Sequence, residues 1–280
     1  MKKGGGLPGL GWIPVGWYLV FLLGPLFLVV ATSFATRGLY GGLEWSFNHE
    51  NFTRTADSLY LAILWRSFLL ASLTTAACLL LGLPIAYAMS TASSRARSAY
   101  VLLLAIPFLT NLVIRICAIK SFMAYEGPFA WLLTALGIGF DPYALSQNAT
   151  LVSLGMISSY LPFMVFPLFA ALEKFDFSLV EAAQDLGASF APIVTRVILP
   201  ILKVPIISGC LLVFIPAMGE FLIPDLLGGA KTMLAGNLIS EQFLKARDWP
   251  FGSSLSVVLM VILSFVVIGA RYLERERSTT

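Results

Sequence analysis

Asp176-Phe177-Ser178-Leu179-Val180-Glu181-Ala182-Ala183-Gln184-Asp185-Leu186-Gly187-Ala188-Ser189-Phe190 is a polar stretch between two long apolar ones. Ser178 followed three residues on by Glu181 has the spacing of a capping box. In that arrangement the serine oxygen accepts from the Glu181 amide and the glutamate reaches back to the serine amide. Leu179, Ala183, Leu186 and Phe190 recur at helical spacing beside Gln184 and Asp185, which makes a narrow apolar stripe. Gly187 is placed to reverse the chain in a left-handed conformation. The spacing predicts a short amphipathic helix at a membrane surface. It either lies on lipid, packs under its own bundle, or presents its face to a partner.

The membrane follows from what flanks this stretch. Apolar residues make up 58% of the chain and charged residues 12%, whereas soluble domains average about 45–50% and about 25%. A chain this poor in charge cannot cover a water-exposed surface. The apolar residues gather in runs of about twenty, the helix length that crosses about 30 Å of hydrocarbon. The expected fold class is an all-α membrane protein with six transmembrane helices. The spans run from about Trp12 to Phe34, Trp65 to Met89, Tyr100 to Phe122, Ala149 to Leu172, Val197 to Ile223 and Ser253 to Tyr272. The first is too long for a signal-peptide core and is read as retained. Pro25, Pro107, Pro162, Pro167, Pro205 and Pro216 fall inside spans, where each removes a backbone donor; each is either a hinge or a tolerated membrane proline.

Six spans put both termini on one side, and the cations indicate which. Lys2 and Lys3, the Arg95/Arg97 turn, Lys174 and Arg196 of the insert, and Arg271, Arg275 and Arg277 share one face, with Lys203 just beyond. Arg37, Arg54, Arg66, Lys231, Lys245 and Arg247 share the other, in long loops balanced by Glu44, Glu50, Asp57, Glu241 and Asp248. Long loops weigh little in the positive-inside rule. Both termini and the 173–196 insert are therefore expected in the cytoplasm.

Several functions are disfavoured. A net charge of +3 without a Lys/Arg run offers no footprint for nucleic acid. Cys78, Cys117 and Cys210 sit in apolar runs and read as small hydrophobes rather than metal or disulfide cysteines. The single histidine, His49, stands in a polar loop without a second ligand or base. Gly228-Gly229-Ala230-Lys231-Thr232 lacks the glycine that a phosphate loop needs before its lysine. An intramembrane enzyme is the alternative of a different class, but the spans offer no Ser/His pair, paired aspartates or histidine cluster.

Glu181-Ala182-Ala183, three residues, Gly187, nine residues, then Val197-Ile198-Leu199-Pro200 resembles the E-A-A-x3-G-x9-I-x-L-P signature of permease subunits of ATP-binding-cassette (ABC) importers. Val197 in the isoleucine position is the one departure. The resemblance implies the type I importer permease fold and makes the 178–190 helix the coupling helix, docked in a groove of the ATPase. Glu181, Ala182, Ala183, Leu186, Gly187 and Pro200 are then the ATPase-coupling residues. Further stretches are similar to spermidine/putrescine permeases: Phe108-Leu109-Thr110-Asn111-Leu112-Val113-Ile114-Arg115, Tyr160-Leu161-Pro162-Phe163-Met164-Val165, Pro216-Ala217-Met218-Gly219-Glu220-Phe221, Asp225-Leu226-Leu227-Gly228-Gly229 and Arg247-Asp248-Trp249-Pro250-Phe251-Gly252.

That likeness implies a permease of the bacterial inner membrane that moves a polyamine by alternating access. Its implied partners are a second permease, an ABC ATPase dimer, an extracytoplasmic solute-binding protein and membrane lipid. No cofactor belongs to this chain; ATP and Mg are bound by the ATPase subunits. A permease for another solute, such as an anion, iron or an amino-acid derivative, is the nearest alternative. The domain organisation is a first helix and outer loop over 1–62, a type-1 transmembrane core over 63–273, and a tail over 274–280.

The residues themselves fit a cation path. Glu220 and Asp225 are acidic groups at the outer end of the fifth span, where an ionisable side chain usually faces a bundle interior or a water-filled cavity. Phe221, Tyr125, Trp131 and Tyr160 can offer ring faces to ammonium groups, or belong to the interfacial aromatic belt. Glu220 either meets substrate or pairs with Arg115 or Lys120. Those two cations are better explained as partners of acidic groups or of backbone carbonyls than as contacts to a polyamine.

Overall fold

The computed structural model describes residues 12–38, 42–124, 127–136, 149–229 and 232–275. Lys2, Lys3, Tyr125, Lys231 and Arg277, used above, lie outside the described residues. The first rod consists of α1 (Trp12–Tyr18), a π-helical stretch (Leu19–Leu23) and α2 (Gly24–Ser33). Two short strands follow, β1 (Thr36–Arg37) and β2 (Leu43–Glu44), then α3 (Glu50–Thr55), α4 (Ser58–Thr91), α5 (Ser94–Leu109), α6 (Leu112–Phe122) and α7 (Pro128–Ala135). After these come α8 (Ala149–Leu172), α9 (Ser178–Asp185), α10 (Phe190–Ile193), a π-helical stretch (Val194–Ile198) and α11 (Leu199–Ile201). The chain continues through α12 (Lys203–Met218), a third π-helical stretch (Pro224–Gly228), α13 (Ala235–Leu244) and α14 (Trp249–Arg275).

Among the described residues, four helical segments are long and apolar enough to cross a bilayer: Pro14–Ser33, Ser58–Thr91, Ala149–Leu172 and Trp249–Glu274. The third and fifth spans, predicted as single helices, are instead bent pairs. α5 and α6 meet at 95°, and Phe190–Ile201 meets α12 at 74°; counting each pair as one span gives six.

Each bend has a local cause. Pro107 has no amide for the ladder, Thr110 is extended with ψ 151°, and the Asn111 side chain accepts from the amides of Val113 and Ile114 to start α6 afresh. The Pro107 carbonyl freed at the bend is taken by Thr110 Oγ1 and Arg115 Nη1, both at 2.6 Å. At the second bend Pro205 cannot donate to Ile201, and the ladder stops at Leu202. Pro162 and Pro167 lie inside α8 without breaking it.

The chain forms two compact units. The first comprises Met1–Leu61 and Leu238–Ile262. There β1 pairs antiparallel with β2, Thr36 opposite Glu44, and Asn51 Nδ2 donates to the carbonyls of Ser33 and Ala35. Arg54 forms a 2.8 Å ion pair with the buried Asp248 and stacks over Phe251 at 3.8 Å. Asp248 also accepts from the Phe251 amide, so it caps α14.

The second unit comprises Ala62–Asn237 and Leu263–Thr280. Its core is the pairing of α8 with α12. Met164 reaches between two glycines here: a Cβ at Gly82 would lie 2.9 Å from Met164 Cγ, and one at Gly209 2.8 Å from Met164 Sδ. Small residues let membrane helices approach closely, and the unbranched thioether fills the gap. Among the cysteines, Cys78 is buried as expected of a small hydrophobe, whereas Cys117 is exposed on α6. Exposure on an apolar span is unremarkable, because lipid solvates such a face as well as protein does.

Candidate functional site

α9 forms where the sequence places a short helix, but its N-terminus is built differently from the predicted capping box. Phe177 occupies the N-cap position, no capping bond runs between Ser178 and Glu181, and Asp176 Oδ1 accepts from the Ser178 amide at 3.0 Å. An aspartate two residues before a free amide makes a compact turn, and here it displaces the serine. Hydrogen bonding to Ser178 holds the Asp176 carboxyl below its ordinary value. The C-terminus matches the prediction. Gly187 has φ +80°; its amide bonds the Gln184 carbonyl, and that of Ala188 bonds Ala183, a Schellman end.

Of the predicted stripe only Ala183 helps to anchor the helix; the rest of the anchoring comes from other residues. Val180 is buried and Ala183 half-buried, Phe177 packs edge-on to Tyr87, and Arg97 joins Glu173 at 3.1 Å. Leu179, Leu186 (89% exposed) and Phe190 (74%) stand free. Glu181, Ala182 and Gly187 are exposed beside them, as is Pro200 on α11. A surface of leucine and phenylalanine next to an exposed carboxylate is suited to docking. Fully burying each large side chain contributes about 1.5–3 kcal/mol.

The second site lies where α12 ends. The helix stops at Met218, and the amides of Leu222 and Ile223 donate to Glu220 Oε1, where a continuous helix would direct them to Met218 and Gly219. Glu220 Oε2 accepts from the Tyr160 hydroxyl. Tyr160 and Glu220 are both buried, so three donors hold one carboxylate. The sequence offered Arg115 or Lys120 as ion-pair partners. Neither forms such a pair among the described residues: Arg115 bonds the Pro107 carbonyl and Lys120 is exposed. The backbone-carbonyl reading of Arg115 is the one the geometry bears out.

Tyr160, Glu220 and Arg115 line one pocket of about 250 Å³ with Phe108, Thr110 and Phe163. The Phe108 and Phe163 rings meet edge to face at 5.2 Å. These phenylalanines were not singled out from sequence, although Tyr160 and Phe163 at i, i+3 share a helix face. Asp225 and Phe221 are exposed next to the break, and Trp131 is 72% exposed on α7; none of the three lines this pocket. The segment 219–221 is clasped from α13. Asn237 Nδ2 donates to the Phe221 carbonyl at 2.7 Å, and a Cβ on Gly236 would meet Gly219 O at 2.4 Å. Ser67 of α4 accepts from the Ala235 amide. That clasp was not legible in the sequence, since its members are far apart along the chain.

A polytopic helical fold with two bent spans, a broken helix at a buried carboxylate and a short capped helix between spans is the architecture of an importer permease. The chain belongs to the family of binding-protein-dependent transport system inner membrane components, which matches residues 78–278. It is 40% identical over 254 residues to the spermidine/putrescine transport system permease protein PotB of Escherichia coli strain K12, covering 91% of this chain and 92% of that protein. The Haemophilus influenzae PotB is 42% identical over 260 residues, covering 92% and 91%. Among solved structures, a bacterial alginate ABC transporter in complex with an alginate pentasaccharide-bound periplasmic protein superposes with TM-score 0.73 at 16% identity, over 96% of this chain and 93% of that one.

Proposed function

We propose that this chain is one permease of an ATP-driven importer that carries a polyamine of the spermidine/putrescine class across the bacterial inner membrane. One observation carries the cargo: the PotB relatives match nearly end to end. The Glu220 pocket supports it, because a buried carboxylate beside aromatic rings can replace part of the hydration that ammonium groups lose.

Assembly follows the same reading. Leu179, Leu186 and Phe190 with Glu181 form the surface that docks an ABC ATPase, and ATP-driven closure there rocks this chain against a second permease around the path. The first helix, Pro14–Ser33, buries none of its apolar window within the described chain; lipid and the second permease are its neighbours. A solute-binding protein delivers cargo at the face bearing the 37–64 and 224–250 loops. Both termini and α9 lie in the cytoplasm.

A second reading, an anionic cargo, rests on Arg115, whose buried Nε has no hydrogen-bond partner among the described residues. Uptake by the purified four-component complex in proteoliposomes separates the two. ATP-dependent accumulation of labelled putrescine or spermidine, uncompeted by anions, is expected. Copurification of the ATPase without polyamine uptake would leave the permease assignment standing and remove the cargo.

A further inference from the structure

Arg115 and Glu220 are opposite charges lining one pocket, yet they are not paired. Glu220 is held by Tyr160 and two backbone amides. Arg115 donates through Nη1 to the Pro107 carbonyl, while its Nε is buried without an acceptor among the described residues. A guanidinium carries five donors, and leaving one of them buried and unmade costs free energy. Arg115 is therefore under-satisfied where it stands, and the strongest acceptor lining the same pocket is the Glu220 carboxylate.

A fixed cation is also the wrong charge to leave standing in a path for ammonium groups, since like charges brought together at low dielectric repel strongly. Resting on the reading of this pocket as part of a cation path, we propose that Arg115 is a tethered substitute for cargo. In the emptied pocket the guanidinium swings from the Pro107 carbonyl to Glu220 and closes the path. An arriving ammonium group displaces it back to the Pro107 carbonyl. Arg115 sits in the first turn of α6, beside the bend that supplies its present acceptor, and lines the same pocket as Glu220. The alternative, that Arg115 serves only to satisfy the Pro107 carbonyl at the bend, predicts that its charge matters only to folding.

The test uses the full complex in proteoliposomes without ATP, loaded with tetramethylammonium as a small, permanently charged cation probe. Arg115→Gln is expected to raise passive release above the wild-type rate and to lower KM for ATP-driven putrescine uptake together with kcat. Arg115→Lys, which keeps the tethered charge, is expected to restore the seal. Arg115→Cys treated with an aminoethyl thiosulfonate should reseal, whereas a methyl thiosulfonate of similar reach should not. Passive release at the wild-type rate in a stably assembled Arg115→Gln complex overturns the proposal, as does equal leakiness of the Gln and Lys variants. The probe is independent of cargo: a leak that depends on Arg115 in a complex unable to take up putrescine refutes the polyamine reading and leaves the tethered cation intact.

Discussion

Glu220 sits where an unpaired carboxylate costs several kcal/mol, and the Tyr160 hydroxyl with the Leu222 and Ile223 amides converge on it. Tyr160→Phe removes one donor and keeps the ring, so a loss of about 1–3 kcal/mol is expected. It is read as a lower thermal midpoint of the purified complex; an unchanged midpoint would show that the contact contributes nothing. Asp225 is exposed beside the same break, and its substitution should act on transport rather than folding. Asp225→Asn is expected to reduce uptake while assembly and capture by the binding protein stay normal; uptake at the wild-type rate excludes it from the path. The acidic character of this region was legible from Glu220 and Asp225 in an apolar context. The partner of Glu220 was not, because an arginine and a tyrosine are both plausible until the backbone decides which one arrives.

α9 shows which parts of an element are local. Its C-terminus depends on one glycine at φ +80°, and Gly187→Ala places a Cβ where it costs about 1–2 kcal/mol. ATPase copurification should fall accordingly while membrane insertion is unaffected; full recovery of the ATPase would separate the cap from docking. At the other end, Asp176 and not Ser178 carries the cap. Its carboxyl is held below the ordinary value, so the native state binds fewer protons than the unfolded one. The stabilisation is complete above the unfolded pKa and is lost as pH falls through the lowered native value. Proteolysis of the 173–196 segment by an acid-active protease should therefore rise below the usual carboxylate range, and Asp176→Asn should blunt that pH dependence. Glu181, freed from any capping duty, is left with an exposed carboxylate.

For the whole molecule the first test is sidedness. Cysteines introduced at Ser94 and Ser189 are expected to be shielded from an impermeant outside reagent and one at Ser58 to react; labelling of Ser94 from outside would invert the orientation. Arg97 and Glu173 meet at 3.1 Å, which joins the Arg95/Arg97 turn to the insert as the cation count requires. An exposed pair of this kind contributes only about 0–1 kcal/mol, so it marks proximity more than it supplies stability. The membrane class, the positions of the apolar spans, the short helix between two of them and its glycine stop were determined by the sequence alone. Each depends on hydropathy summed over about twenty residues or on dihedral preferences within a single turn. The 95° and 74° bends, the tyrosine on Glu220, the bond of Arg115 to the Pro107 carbonyl and the clasp of Asn237 on Phe221 were decided only by the tertiary structure. A proline signals that one backbone donor is missing, but whether the helix continues, as at Pro162, or breaks, as at Pro107, depends on the acceptors that neighbouring side chains and helices supply. Tyr160 and Glu220 are sixty residues apart, and the packing of α8 against α12 brings their helices together.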